Sequence, residues 1–286
     1  MILIADSGAT KSDWNFIDNK GKVESFSTAG LSPLFWTSKE IADEISLKFP
    51  KRVQSLIIED KSRIYFYGTS CSSAKRIKKV KDALKKVFPK SKAIVNNDML
   101  GSARALFGTG SGIACILGTG SNSCYYDGKE IIETIGGLSY ILGDEGSGAH
   151  IGLEVLKAFL NNELPKDIKK VFSRKYNLSK DKIIFSLYTK KNPNRFLASF
   201  AKFALAHIDN LFLRKLVKDC MTRFFEKTIC KYNTQQYHNL PVGFVGSIAF
   251  YFKDILEEVA YEKNVKIIKI MSNPIGNLVT FHLNNN

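Results

Sequence analysis

Asp6-Ser7-Gly8-Ala9-Thr10 and Leu117-Gly118-Thr119-Gly120-Ser121 are two similar loops, and each follows a short apolar segment. A second apolar segment comes after each loop, at residues 14–17 and 124–126. A strand, a tight glycine-containing turn and a return strand form a β-hairpin. The tip of such a hairpin presents backbone N–H groups and hydroxyls to phosphate oxygens, and glycine allows a close approach. Either loop alone would be read as an ordinary turn, but the pair predicts two similar lobes that bind one polyphosphate.

Two common nucleotide-binding motifs are absent from the sequence. No Gly-x-x-x-x-Gly-Lys-Ser/Thr pattern occurs, which excludes a P-loop. Both glycine loops lead into strands rather than helices, which excludes the dinucleotide fingerprint of a Rossmann fold.

The composition is that of a globular protein, with 286 residues, 44% hydrophobic and 24% charged. This length can bury one large core or two modest ones. No apolar run reaches the roughly 18 residues of a membrane span, and no signal peptide is expected. The five cysteines form no C-x-x-C pair. Free thiols fit a reducing compartment, so the sequence predicts a cytoplasmic protein that does not contact membranes.

The net charge of +15 raises the question of a nucleic-acid partner. Lysines (34) greatly outnumber arginines (8) and are spread along the chain, whereas specific nucleic-acid readers use arginine. In the densest basic segment, residues 74–87, apolar side chains recur at helical spacing, which places the lysines on the outer face of a helix. No nucleic-acid partner is predicted.

Strand and helix patterns alternate along the chain, which indicates an α/β fold. A helix is expected over residues 38–49 with Ser38 as its N-cap, further helical patterns cover much of residues 195–232, and one helix is expected over residues 248–262. The cluster Gly108-Thr109-Gly110-Ser111-Gly112 is the candidate hinge. The predicted domains are residues 1–107, joined by a C-terminal helix in residues 274–286, and residues 108–273.

Two further motifs identify a family. Asn97-Asp98 precedes Leu100-Gly101-Ser102-Ala103-Arg104-Ala105-Leu106, and Gly143-Asp144-Glu145-Gly146-Ser147-Gly148 follows the second glycine loop. With the two loops, they make nearly the whole chain resemble the N-acetylglucosamine kinase branch of the BadF/BadG/BcrA/BcrD ATPases, within the sugar kinase–Hsp70–actin superfamily. The resemblance implies two ribonuclease-H-like lobes (an actin-like ATPase fold) around a central cleft, with ATP and sugar in the cleft, and a homodimer.

The resemblance also implies roles for individual residues. Asp98 is the base that accepts the proton of the sugar hydroxyl, and Asp144 holds two sugar hydroxyls. Asp6 holds Mg²⁺ through water. The residues implied to contact ATP or its phosphates are Asp6, Gly8, Thr10, Lys11, Gly118, Thr119, Gly120, Gly246 and Ser247.

The sequence departs from the family pattern on the sugar side. The family commonly has Asn where this chain has Ser32, Trp in its animal members where this chain has Leu138, and glycine where this chain has Ser139. At the positions that match the family pattern, the predicted sugar contacts in this chain are Ser32, Asp98, Leu138 and Asp144.

Three of these residues could instead have a purely structural role. Asp98 could cap a helix or a turn, Asp144 could cap the following helix, and Lys11 could be a solvated loop lysine.

The predicted function is an ATP- and Mg²⁺-dependent kinase that phosphorylates O6 of N-acetylglucosamine or a related amino sugar. One alternative is a BadF-type ATPase that activates a reductase or dehydratase through an iron–sulfur cluster. Such proteins place a cysteine directly beside the second loop, where this chain has Leu117. The other alternative is a noncatalytic sugar sensor.

Overall fold

The computed structural model describes residues 1–189, 192–232 and 240–285. They form two compact units. Unit 1 comprises Met1–Gly110, Gly128–Glu130 and the chain from Asn273 onward, and unit 2 comprises Ser111–Asp127 and Ile131–Ser272. The change of unit between Gly110 and Ser111 lies inside the glycine cluster, whose role as a hinge stays a prediction.

Unit 1 is built on a five-stranded sheet. Its strands are β1 Ile2–Ser7, β2 Lys11–Ile17, β3 Val23–Ala29, β4 Arg63–Gly68 and β5 Lys92–Asn97. They lie in the order β3-β2-β1-β4-β5, with β1, β2 and β3 antiparallel and β1, β4 and β5 parallel. The first glycine loop joins β1 to β2, as predicted.

Unit 2 repeats this plan. Its strands are β6 Gly112–Leu117, β7 Ser121–Tyr126, β8 Ile131–Gly136, β9 Val242–Val245 and β10 Ile267–Met271. The order β10-β9-β6-β7-β8 and the strand directions match those of unit 1 when β6 is placed on β1. The prediction of an α/β fold with two similar lobes is confirmed.

Among its described residues, unit 1 has five helices: α1 Ser38–Lys48, α2 Lys51–Glu59, α3 Ala74–Val87, α4 Asp98–Phe107 and α14 Ile275–Asn284. The N-cap of α1 is Thr37 rather than Ser38, because Thr37 and Glu40 form a capping box. In α3, Val80, Ala83 and Leu84 are buried while most of the lysines are exposed, as the spacing predicted.

The helices of unit 2 are more broken than the sequence indicated. The segment expected to be helical over residues 195–232 contains three α-helices and a 3₁₀ turn, and the helix expected over 248–262 is interrupted at Phe252. The helices are α5 Ser139–Leu142, α6 Gly148–Leu160, α7 Lys166–Tyr176, α8 Lys180–Thr189, α9 Pro193–Ala198, α10 Ala201–Ala206, α11 Leu211–Lys227, α12 Ser247–Tyr251 and α13 Lys253–Glu262, with the 3₁₀ turn at Ile229–Tyr232.

Each unit has its own apolar core. Trp14, Phe66 and Phe88 are fully buried in unit 1, and Phe203, Phe224 and Phe244 are fully buried in unit 2. Among the described residues, no helix is both long and apolar enough to cross a membrane.

A buried polar chain ties α14 to α4. The Arg104 guanidinium donates to the Tyr67 hydroxyl at 2.8 Å, and that hydroxyl lies 2.9 Å from His282 Nε2. The His282 ring also stacks on Tyr65, with 3.7 Å between centroids. Asn277 adds a bond to the Ala105 carbonyl. Because Arg104 can only donate, the Tyr67 hydroxyl hydrogen is available to a neutral His282 ring.

We expect this network of hydrogen bonds to make unit 1 sensitive to acid. Burial first, and then the charge of Arg104, lower the pKa of His282 from 6.5 to about 4. A lowered histidine pKa gives stability that is complete above the unfolded pKa and is lost as pH falls toward the folded one. Between about pH 7 and pH 4.5, the free energy of unfolding of the wild type should fall by about 2–3 kcal/mol more than that of His282→Gln. Equal acid sensitivity of the two proteins in urea titrations would show that His282 does not carry this dependence.

Candidate active site

The first glycine loop is a closed hairpin tip packed against Gly30. The Gly8 N–H donates to the Lys11 carbonyl at 3.0 Å, and the Gly30 N–H donates to the Thr10 carbonyl at 3.0 Å. A Cβ on Gly30 would lie 2.5 Å from the Gly8 carbonyl oxygen. Only glycine fits at position 30, because its backbone supports the tip directly.

Three carboxylates belong to this end of the unit 1 sheet. Asp6 on β1 pairs with Asp13 on β2, and directly opposed residues of an antiparallel pair project from the same face. Burial first, then the charges of Asp98 and Asp13, raise the pKa of Asp6 to about 7. Asp6 and Asp98 are therefore close enough to interact, although they are far apart in sequence.

Asp98 is the first residue of α4, directly after β5. The N-cap is Asn97, whose side chain accepts the N–H of Leu100 at 2.8 Å, so Asp98 is not the cap. Its Oδ1 accepts the N–H of Met99 at 3.0 Å. Burial raises the pKa of Asp98, and the neighbouring Thr69 side chain and Met99 N–H oppose the rise. The outcome is a partly accessible carboxylate with increased basicity.

The acidic residues suit a hard cation. Carboxylates that raise one another's pKa are relieved by a bound divalent ion, and Mg²⁺ prefers oxygen ligands. Within the described part of the chain, no group of three or more acidic, histidine or cysteine side chains is arranged to hold a metal alone. Mg²⁺ usually keeps several waters and binds through one or two carboxylates plus phosphates, so Asp6 fits that role.

Lys11 is paired rather than merely solvated. Its Nζ lies 2.6 Å from Asp13 Oδ1, while its side chain is 60% exposed. Asn273, just before α14, donates to the other oxygen of Asp13. Lys11 is therefore held at the hairpin tip, where it can reach a ligand.

Ser32 is enclosed beside the same loop. The preceding residue, Leu31, donates its N–H to Ser7 Oγ at 3.1 Å, so this segment is attached to the first hairpin. Ser32 is 3% exposed, and its hydroxyl has no hydrogen-bond partner among the described residues. Ser62 and Ser91 share that condition, so an unpaired buried serine alone does not mark a binding site.

The second glycine loop is joined to the start of α6. The N–H groups of Gly148 and Ala149 donate to the carbonyls of Gly118 and Thr119 at 2.8 and 3.1 Å. Gly118 also donates to the Gly120 carbonyl at 3.0 Å. These bonds fix the loop from its carbonyl side.

Asp144 lies against this loop. Its Oδ1 accepts the N–H of Ser121 at 3.1 Å, and a Cβ on Gly120 would lie 2.7 Å from its Oδ2. Burial raises the pKa of Asp144, the Ser121 bond lowers it, and Glu145 raises it. The N-cap of α6 is Ser147, so Asp144 is not a helix cap. The structure thus joins a predicted sugar residue to a predicted phosphate loop.

Gly246 and Ser247 adjoin the second loop as well. A Cβ on Gly246, whose φ is +124°, would lie 2.2 Å from the Leu117 carbonyl oxygen. Its N–H donates to Met271 at 2.9 Å, and exposed Ser247 begins α12. Leu138 is 59% exposed, and a Cβ on Gly143, the residue before Asp144, would lie 3.0 Å from the Leu138 Cβ.

Sequence reasoning missed Asp13 and Asn273. Asp13 could have been found, because pairing β1 with β2 across the predicted tip places it opposite Asp6. Asn273 directly precedes the C-terminal helix that was predicted to join residues 1–107, but no local pattern indicates that its side chain contacts Asp13. Cys115 and Cys124, on either side of the second loop, are fully buried, which argues against an interfacial iron–sulfur cluster there.

Similarity to a solved structure shows the family of the chain. Neither protein-family models nor curated proteins give a match. Among solved structures, a putative N-acetylglucosamine kinase from Porphyromonas gingivalis is 37% identical, with a TM-score of 0.91 over 100% of this chain and 99% of its own. The chain belongs to the family of this kinase. It is therefore a phosphotransferase.

Other solved structures resemble the chain in fold alone. A second such putative kinase, from Chromobacterium violaceum, is 13% identical over 98% of both chains, with a TM-score of 0.73. A ROK family glucokinase from Streptomyces griseus, in complex with glucose and AMPPNP, is 15% identical over 98% of this chain and 97% of its own, with a TM-score of 0.52. Membership of the BadF/BadG group, the homodimer and the cytoplasmic location stay predictions.

Proposed function

We propose that the protein is an ATP-dependent kinase that transfers the γ-phosphoryl group to O6 of N-acetylglucosamine or a related amino sugar. The observation that carries the proposal is Asp98. It is a partly accessible carboxylate with a raised pKa, at the start of α4 and beside Asp6. The similarity to the putative N-acetylglucosamine kinase of P. gingivalis supports the choice of acceptor.

Asp98 acts as the general base. The proton of the sugar hydroxyl passes to the Asp98 carboxylate as the sugar oxygen forms its bond to the γ-phosphorus. The bond between that phosphorus and the oxygen bridging to the β-phosphate breaks, and ADP leaves. Burial makes Asp98 more basic than an exposed aspartate, which favours proton acceptance near neutral pH.

The two glycine loops supply the phosphate contacts. In unit 1 the proposed phosphate contacts are Gly8, Thr10 and Lys11. In unit 2 they are Gly118, Thr119 and Gly120, with Gly246 and Ser247 beside them. Asp6 would hold Mg²⁺, which neutralises charge on the transferring phosphate when bound. Asp144, Ser32 and Leu138 are assigned to the sugar.

The test of this proposal is an ATP-consumption screen with Mg²⁺ over N-acetylglucosamine, glucosamine, an N-acetylmuramic derivative and glucose. We expect an amino sugar to give the highest kcat/KM. No sugar-dependent ATP consumption with any of them would refute the proposal.

Ser32→Asn should change the ranking of acceptors rather than the overall rate. Asparagine adds a donor and an acceptor that the serine hydroxyl cannot replace, and polar mismatches in an enclosed pocket discriminate strongly. The measurement is kcat/KM for N-acetylglucosamine, glucosamine and glucose. Ser91→Asn is the matched control, because Ser91 is also a buried serine without a hydroxyl partner among the described residues. An unchanged ranking in Ser32→Asn would remove Ser32 from the sugar site.

A further inference from the structure

A histidine closes the turn before α6. Ser147 is the N-cap, and its Oγ accepts the N–H of His150, at helix position N3, at 3.2 Å. In a capping box the N3 side chain also reaches back across the cap, and it is usually Glu or Gln. Here His150 Nδ1 accepts the N–H of Gly146 at 3.1 Å. The imidazole therefore makes a contact related to that of a capping box but one residue earlier, because the N–H of Ser147 itself donates to the Asp144 carbonyl.

The turn that His150 closes is the one that carries Asp144. The Ser147 N–H donates to the Asp144 carbonyl at 3.1 Å. Gly146 has a φ of +70°, and a Cβ there would lie 2.7 Å from Phe224 Cβ. Asp144 itself has a φ of +60°. Both residues occupy the left-handed region, so the turn is tight, and the bond from the Gly146 N–H to His150 restrains it directly between Asp144 and α6.

A neutral ring suits this position better than a carboxylate. Glutamate at position 150 would add a third negative charge to a turn that already holds Asp144 and Glu145. Burial is the largest cause that lowers the pKa of His150; Arg223 and Lys157 lower it further, and Glu154 and Glu145 oppose them. The ring is neutral near pH 7, so Nδ1 can accept a hydrogen bond.

We propose that His150 is a positioning residue that holds the Asp144 turn in place for the acceptor sugar. The proposal rests on the proposed function in one respect, the assignment of Asp144 to the acceptor. Protonation would place an N–H against the Gly146 N–H and a positive charge at the N-terminus of α6, so the turn would open at low pH.

The test compares His150→Leu, which removes the acceptor atom, with His150→Gln, which keeps an acceptor but cannot titrate. His207→Gln, on the α10 C-terminus, is the control for loss of a histidine elsewhere in unit 2. Amide hydrogen exchange at Gly146 and the acceptor affinity are measured on the full chain, together with nucleotide affinity without sugar.

In His150→Leu we expect Gly146 exchange and the acceptor Kd to rise about tenfold or more, with nucleotide Kd within about twofold of wild type. His150→Gln should match wild type in acceptor affinity near neutral pH, and in acid its Gly146 amide should stay protected where that of wild type loses protection. The comparison in acid uses exchange, because protonation of Asp144 also weakens acceptor binding there. Unchanged exchange at Gly146, or faster exchange with unchanged acceptor affinity, would overturn the proposal. Equal losses of acceptor and nucleotide affinity would also overturn it. Failure of wild type to bind any sugar would refute the proposed function instead, and the exchange measurement would still decide whether His150 holds the turn.

Discussion

Asp98→Asn should lower kcat by about 10²–10⁴ while leaving the fold and ATP affinity unchanged. The amide is nearly the same shape, and its oxygen can still accept the N–H of Met99, which donates to Asp98 at 3.0 Å. It cannot accept the proton of the sugar hydroxyl. The measurement is steady-state turnover with saturating sugar and ATP, together with nucleotide binding by calorimetry.

Asp82→Asn is the matched control for this substitution. Asp82 lies on α3, is half exposed and pairs with Lys78 outside the candidate site. Its variant should keep wild-type kcat. A kcat for Asp98→Asn within threefold of wild type would remove Asp98 from the mechanism.

Asp144→Asn should raise the acceptor KM by about 10–100-fold, because charge-assisted hydrogen bonds to two hydroxyls are worth roughly 1.5–3 kcal/mol each in favourable cases. Asparagine is a sharper test than alanine here. Its carbonyl oxygen can keep the bond from Ser121, so the second glycine loop stays in place and the loss is confined to the negative charge.

Nucleotide affinity without sugar should not change in Asp144→Asn, and Glu145→Gln, on the adjacent residue, should leave the acceptor KM near wild type. If Asp144→Asn keeps a normal acceptor KM, the role of Asp144 is confined to supporting the second loop. A matching loss of nucleotide affinity would assign the carboxylate to the phosphate side.

The repeated architecture could be predicted from the sequence because the signal is local. Each glycine loop lies between two short apolar segments, so the hairpins β1–β2 and β6–β7 follow from alternation and turn chemistry. The strand order could not be read this way. It depends on pairings such as β1 with β4, which join segments far apart in the chain.

The helical region of unit 2 shows where periodicity fails. Apolar side chains recur at helical spacing through residues 195–232, yet the helix is interrupted between α9 and α10 and again between α10 and α11. At one break, Asn210 caps α11 by accepting N–H groups of Phe212 and Leu213. The breaks serve packing around a buried aromatic core, so the hydrophobic pattern continues while the backbone turns.

In the site, the sequence indicated which residues to consider but not their local partners. Asp144 is an example, because its contact with Gly120 and Ser121 depends on how the turn at 144–147 packs against the second loop. His150 is another, because a histidine at N3 does not match the usual capping pattern. The contact of Asp144 comes from tertiary packing, whereas that of His150 is a local bond that the usual capping pattern does not include.

The most direct test of the account is identification of the product. Wild-type protein is incubated with ATP, Mg²⁺ and N-acetylglucosamine, and the mixture is analysed by mass spectrometry and ³¹P NMR, with Asp98→Asn in parallel. The account predicts one sugar monophosphate, phosphorylated at O6, for each ADP formed, and almost none from the variant. ADP formed without any sugar phosphate, or equal product from both proteins, would contradict it.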